Sequence, residues 1–292
     1  MMFEWRKLEE EKLIRVKRYP DKKILKYTQK VFNKSLWTND LVHCRGLVID
    51  NDDKIVSYPF TKAFNLFEKG IDAKKTTVDR NEPVIAIEKV NGFLGVMSTH
   101  NGSLVFSTTG TLDSEYARMA ERHIREQIDV GSFSQFLDTF NKTAMFEICD
   151  PNDPHIVYEK PGVYLIGMRE NIIGSKLQRE DSLDEWASEI GAYRPSWKSY
   201  DTFDEAKRDA ENSIKEGSMI RDLDGNVLCK IKSKYYKVKK FMMRGRSDKV
   251  WQGGVDDDFH DLIDWIKSNH TQEEWSNLKE QERRVVVEQY YD

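Results

Sequence analysis

From residue 44 to residue 240, short strand-like apolar runs recur at close spacing; beyond Lys240 the pattern turns helical. Leu47-Val48-Ile49-Asp50, the turn Asn51-Asp52-Asp53 and Lys54-Ile55-Val56-Ser57-Tyr58 predict a hairpin. Val84 to Lys89, Leu94 to Thr99 and Leu104 to Thr108 predict a meander turned at Asn91-Gly92 and Asn101-Gly102, pairs that tolerate positive φ. Ala144 to Cys149 and Val163 to Arg169 predict two further strands. Ser218 to Ile220 and Val227 to Ile231 predict a hairpin across Asp224-Gly225-Asn226.

Helical periods appear at Ser114 to Ile128, Ser132 to Phe140 and Asp204 to Ile214. Ser182-Leu183-Asp184-Glu185 has the spacing of a helix capping box, followed by an apolar stripe of Leu183, Trp186, Ala187 and Ile190. Phe259 to Ser268 and Gln272 to Tyr290 predict two charged helices rich in Trp and Tyr. Together these give an α+β chain built on antiparallel sheets. The expected division is a main domain over 1–240 and a small helical domain over 241–292, acidic near Asp256-Asp257-Asp258. Residues 1–40 read as a polar, basic face around Lys17, Arg18, Lys22 and Lys23.

Composition narrows the class. With 292 residues, 39% hydrophobic, the chain can bury one large core and a small appendage. A net charge of -4 argues against bulk polyanion binding, so any nucleic-acid contact must use a local basic face. The run Lys230, Lys232, Lys234, Lys237, Lys239, Lys240, Arg244 and Arg246 is the candidate. No stretch of 18 apolar residues predicts a membrane span, and the first residues lack a signal-peptide core. Cys44, Cys149 and Cys229 are far apart without a CxxC pair, so they read as buried free thiols in a reducing cytoplasm. The histidines have no metal-ligand spacing.

The chemistry lies in charges placed inside or beside apolar strands, where they are costly unless used. Arg45 precedes Gly46-Leu47-Val48, and Lys89 follows Glu88 at the end of Val84-Ile85-Ala86-Ile87. Glu147 sits within Ala144-Met145-Phe146-Glu147-Ile148-Cys149, and Glu216 precedes Gly217-Ser218-Met219-Ile220. Lys230 and Lys232 are two residues apart, which puts both on one face of a strand. A lysine nucleophile must be deprotonated, a state favoured by partial burial or nearby cations.

The order Arg45-Gly-Leu-Val, Lys89-x-Asn91-Gly92, Phe146-Glu147, Glu216-Gly217 and Lys230-x-Lys232 resembles the covalent nucleotidyltransferases, the ATP-dependent polynucleotide ligases and capping enzymes. With Pro59-Phe60-Thr61-Lys62-Ala63-Phe64-Asn65 between the first two motifs, it is most similar to the phage-type RNA ligases that repair cleaved tRNA. The resemblance spans Cys44 to Tyr236 and implies an antiparallel-sheet nucleotidyltransferase domain, ATP-grasp-like, with a helical appendage.

It implies that Lys89 accepts AMP from ATP and passes it to an RNA 5′-phosphate, which is then joined to a 3′-hydroxyl. Arg45 and Lys62 are implied near the phosphates or the adenylate, and Phe64, or a residue near it, in the nucleotide pocket. Glu88, Asn91 and Gly92 are implied at the nucleotide. Glu147 is implied at the ribose, and Glu216 at a magnesium ion, or manganese in its place, through bound waters. Lys230 and Lys232 are implied at the α-phosphate. A monomer acting on RNA ends, those of cleaved tRNA among them, beside an end-healing kinase or phosphatase and in the host cytoplasm if phage-encoded, completes the expectation. The same order would also serve a DNA nick-sealing or RNA-capping relative, or a non-catalytic RNA-binding one. Two positions depart from the family: Asn91 stands where ligases more often carry Asp, and Thr109 where a lysine often precedes the glycine.

Overall fold

The computed structural model describes residues 3–252 and 259–291; the acidic run Asp256–Asp258 lies outside the described residues. Three four-stranded antiparallel sheets organise the main body. The first contains β1 (Ile14–Arg18), β2 (Lys22–Tyr27), β3 (Arg45–Asp50) and β4 (Ile55–Ser57), in that order. The second combines β5 (Val84–Glu88) with β10 (Trp197–Tyr200), β11 (Gly217–Asp222) and β12 (Val227–Lys232), in the order β10-β5-β11-β12. The third combines β6 (Phe93–His100), β7 (Ser103–Ser107), β8 (Lys142–Cys149) and β9 (Gly162–Glu170), in the order β7-β6-β8-β9.

Each sheet buries its own apolar face. Helices α3 (Glu115–Gln127), α4 (Val130–Thr139) and α5 (Glu180–Ile190) cover the third sheet, where Ile124, Phe133, Phe146, Leu165 and Leu183 interlock. Helix α6 (Phe203–Asn212) lays Phe203, Ala206 and Ala210 on Val84, Ile220 and Cys229 of the second sheet. The first sheet packs Leu25, Leu47 and Ile49 against Trp5, Val31 and Trp37 from α1 (Trp5–Glu10), α2 (Gln29–Lys34) and the loop after it. A separate cluster of Val238, Met242, Ile266, Trp275 and Val287 holds the C-terminal helices together. These are α7 (Lys234–Arg244), α8 (Asp248–Gln252), α9 (His260–Asn269), α10 (Gln272–Asn277) and α11 (Glu280–Tyr291).

Several local expectations change. The polar 1–40 segment carries the β1–β2 hairpin and two buried tryptophans, because a half-buried edge hairpin shows only weak alternation. Strand β5 does not pair with β6; it pairs with β10 and β11, so the expected meander is split between two sheets. Ser182 lies inside α5, whose first residue is Glu180. The expected helix over 272–290 breaks at Leu278, and Thr271 with Glu274 forms the capping box of α10. Residue 240 falls within α7, whose Val238 and Met242 join the C-terminal cluster while Tyr236 and Met243 pack on Ile156 and Val157.

Candidate active site

A cavity of about 220 Å3 opens where the three sheets meet. The first sheet and the segment after it supply Tyr27, Arg45, Phe60 and Lys62. The second supplies Ile87, Glu88, Lys89, Met219, Arg221 and Lys230; the third supplies Leu94, Glu147 and Ile166. The walls are largely apolar, and the charges enter from a few fixed directions.

Lys89 follows β5, and its backbone N–H still donates to Gly217 O at 2.9 Å, so the residue is held by the β11 ladder. Gly217 has φ +127, and a side chain there would strike the Ile231 carbonyl. Only glycine lets β11 begin so close to β12. That approach delivers the preceding Glu216, 2% exposed, to the end of β5. Lys89 Nζ donates to Glu216 Oε2 at 3.0 Å, Lys232 Nζ pairs with Oε1, and Asn91 Nδ2 donates to Oε2 at 2.5 Å. One buried carboxylate therefore organises two lysines and the motif asparagine.

Asn91-Gly92 is not a hairpin turn. Neither residue has positive φ, and the segment crosses from the second sheet to the third. Asn91 acts as a tie instead: its Oδ1 accepts from Val157 N–H at 2.9 Å while its amide holds Glu216. A side chain at Gly92 would collide with the Ile148 carbonyl and come within 3.1 Å of Cys149 Sγ. The room that Gly92 leaves is thus filled by the β8 backbone, and its N–H donates to Glu147 Oε1 at 3.1 Å. Glu88 accepts from Ser196 Oγ at 2.9 Å.

On the opposite wall, Lys62 Nζ donates to Glu68 Oε1 at 2.8 Å and lies 4.3 Å from the Phe64 ring. Phe64 turns away to pack edge-on against Trp37, and Phe60 takes the place on the cavity wall. Arg45 and Lys230 line the cavity without a side-chain hydrogen bond or salt bridge among the described residues. Burial first, then the charge of Lys62, pushes the Lys230 ammonium down to about 8. For Lys232, burial first, then the charges of Lys89 and Lys240, push the ammonium down to about 7 against the charge of Glu147, while its head pairs with Glu216.

Arg221 was not anticipated from the sequence. It is 3% exposed, pairs with Glu180, and its Nε has no hydrogen-bond partner although the residue lines the cavity. Its signal is an arginine inside the apolar run Met219-Ile220-Arg221. Leu94, Ile166 and Met219 escaped notice too, since apolar pocket walls look like core in a sequence.

The arrangement fits a nucleotide: flat apolar walls for a base, and unpaired Arg45 and Lys230 for phosphates. A hard divalent cation would find Glu216, but both of that carboxylate's oxygens already accept from cationic or amide groups. A cation there fits contact through water better than direct ligation.

The basic run after β12 is divided. Lys239 is 2% exposed, with its Nζ 3.1 Å from Tyr235 OH and 3.2 Å from Glu288. Arg244 pairs with Glu280 and Arg246 with Asp248. Lys237 and Lys240 remain on the exposed face of α7.

A family model described as RNA ligase matches residues 43–244. RNA ligase 1 of bacteriophage TS2126 is 31% identical over 132 residues, 43% of this chain and 33% of that enzyme; the chain thus matches about a third of the length of its curated relative. Two forms of an archaeal ATP-dependent RNA ligase share the fold, at TM-scores of 0.58 and 0.57 and identities of 15% and 14%. Each likeness covers 98% of this chain, with 75% and 74% of the archaeal chains.

Proposed function

The chain belongs to the RNA ligase family, and from that premise we propose that it is an ATP-dependent RNA ligase working through Lys89. Lys89 Nζ attacks the α-phosphorus of ATP, the bond to the bridging oxygen of the β-phosphate breaks, and pyrophosphate leaves. The amine proton has an acceptor within reach in Glu216 Oε2, at 3.0 Å. Arg45 and Lys230 on the cavity wall offset the charge that grows on the phosphate oxygens, and Lys232, held by the same Glu216 carboxylate as Lys89, adds to them. In this reading Glu147, on the cavity wall, contacts the ribose, and Arg221 and Phe60, which line the same cavity, border the base.

The AMP then passes to an RNA 5′-phosphate. A 3′-hydroxyl attacks that phosphorus, forms the phosphodiester and releases AMP. Magnesium, or manganese, would be held at Glu216 through water and at the phosphates, where it supplies positive charge. The substrate we infer is single-stranded RNA with 5′-phosphate and 3′-hydroxyl ends, cleaved tRNA among them. An end-healing kinase would prepare such ends, and the enzyme would act as a monomer in the cytoplasm.

The observation that carries this reading is the joining of Lys89, Arg45, Glu147 and Lys230 around one cavity, although they arise from all three sheets. The test is end-joining with ATP and magnesium. Sealing of 5′-phosphorylated single-stranded RNA, with little sealing of nicked duplex DNA, supports it. Sealing of the DNA nick alone would reassign the substrate.

A further inference from the structure

Three cations stand in a row across the first sheet. Arg15 of β1 is directly opposite Lys26 of β2, and Lys26 pairs with Arg45 of β3 across a β-bulge at Gly46. Like charges facing one another across strands repel. The neighbouring cations of the same hairpin all have carboxylate partners: Arg18 with Glu9, Lys22 with Asp21, Lys23 with Asp53, and Lys17 with Asp113. Arg15, Lys26 and Arg45 have none among the described residues. Lys26 instead reaches Thr109 Oγ1 at 3.4 Å.

The row has a direction. Arg45 lines the nucleotide cavity. Lys26 and Arg15, with Lys17, line a second groove walled by Thr108 to Thr111, and the Lys26–Arg45 strand pairing links it to that cavity. Three neighbouring strands span roughly 10 Å. A pyrophosphate leaving the cavity meets only the inner end of such a row. A polyanion with a phosphate at each nucleotide continues to the outer end.

We propose that Arg15, Lys26 and Arg45 form a phosphate track for the RNA strand whose 5′ end enters the cavity. This rests on the ligase reading and names where its substrate lies. Lys26 also supplies a cation beside the neutral Thr109. Burial, then the charges of Arg45 and Arg15, lower the Lys26 pKa from its ordinary value, as expected of unneutralised neighbours.

The test is the salt dependence of binding to a 5′-phosphorylated single-stranded RNA oligonucleotide. It compares the wild type, Arg15→Gln, Arg15→Gln/Lys26→Gln and the control Lys198→Gln, an exposed lysine of β10. Self-adenylation with ATP is read on the same preparations. The slope of log K against log salt should fall in magnitude by about 0.7 for each track charge removed. Lys198→Gln should leave it unchanged, and adenylation should persist in every variant. Arg15 is exposed on the edge strand β1, so its single variant decides the matter if the double variant fails to fold. An unchanged slope, an equal fall in the control, or adenylation lost in step with RNA binding would overturn the track. If the wild type forms no adenylate, the ligase reading fails, while the slopes still decide the row.

Discussion

The Lys89 ammonium donates to Glu216 Oε2 at 3.0 Å, so the candidate nucleophile rests on the same buried carboxylate that holds Lys232. Replacing that charge leaves two ammonium groups facing a neutral amide. Glu216→Gln should cost about 3 kcal/mol of stability at neutral pH, the low end for breaking a buried ion pair, because both lysine heads are partly solvated. Chemical denaturation measures it. A loss below the cost of a surface substitution would mean that the carboxylate does not organise the pair.

Asn91 donates to Glu216 and accepts from Val157, and its backbone N–H points to Glu159 Oε1 at 3.4 Å. Asn91→Asp keeps the acceptor for Val157 but sets a second carboxylate against Glu216. The variant should be less stable by about 1–3 kcal/mol at pH 8. Like charge raises the pKa of the carboxylate pair above its unfolded value, so the deficit should shrink as pH falls and the pair takes up a proton. Denaturation at pH 8 and pH 6 reads the difference; an equal deficit at both would refute it.

Burial, then the charge of Lys62, pushes the folded Lys230 ammonium down to about 8, well below an unfolded lysine. Between those two values the unfolded chain binds more protons, so this residue makes stability rise with pH above about 8. Nucleotide binding runs the other way, since a phosphate favours the ammonium. ATP affinity should therefore fall as pH rises above about 8, with net proton uptake on binding at that pH. Calorimetry in two buffers of different ionisation enthalpy measures the uptake. Lys230→Met should abolish it, and unchanged uptake would place the titrating group elsewhere.

Much of this site is legible as charges that interrupt apolar strands. Lys89, Glu147, Glu216, Lys230 and Lys232 each stand out because a strand flanked by Val, Ile or Met has no local use for an ion. What the local pattern cannot carry is pairing. Val84–Lys89 and Leu94–Thr99 look like neighbours because Asn91-Gly92 is a strong turn signal, yet each strand finds a better apolar face in a different sheet. The same limit hides what Gly92 does, its missing side chain accommodating Ile148 from a strand more than fifty residues away, and it hides Arg221, whose partner Glu180 lies on a distant helix. Lys239 illustrates the converse: a lysine within a basic run is buried once α11 packs on α7 and offers it Glu288.

The central claim is that Lys89 carries AMP. The direct measurement is intact-protein mass after incubation with magnesium and ATP, followed by denaturation. One covalent AMP on the wild type, retained after denaturation and absent from Lys89→Ala, is the predicted result. An adduct that persists in Lys89→Ala, or none on a folded wild type, would contradict the account.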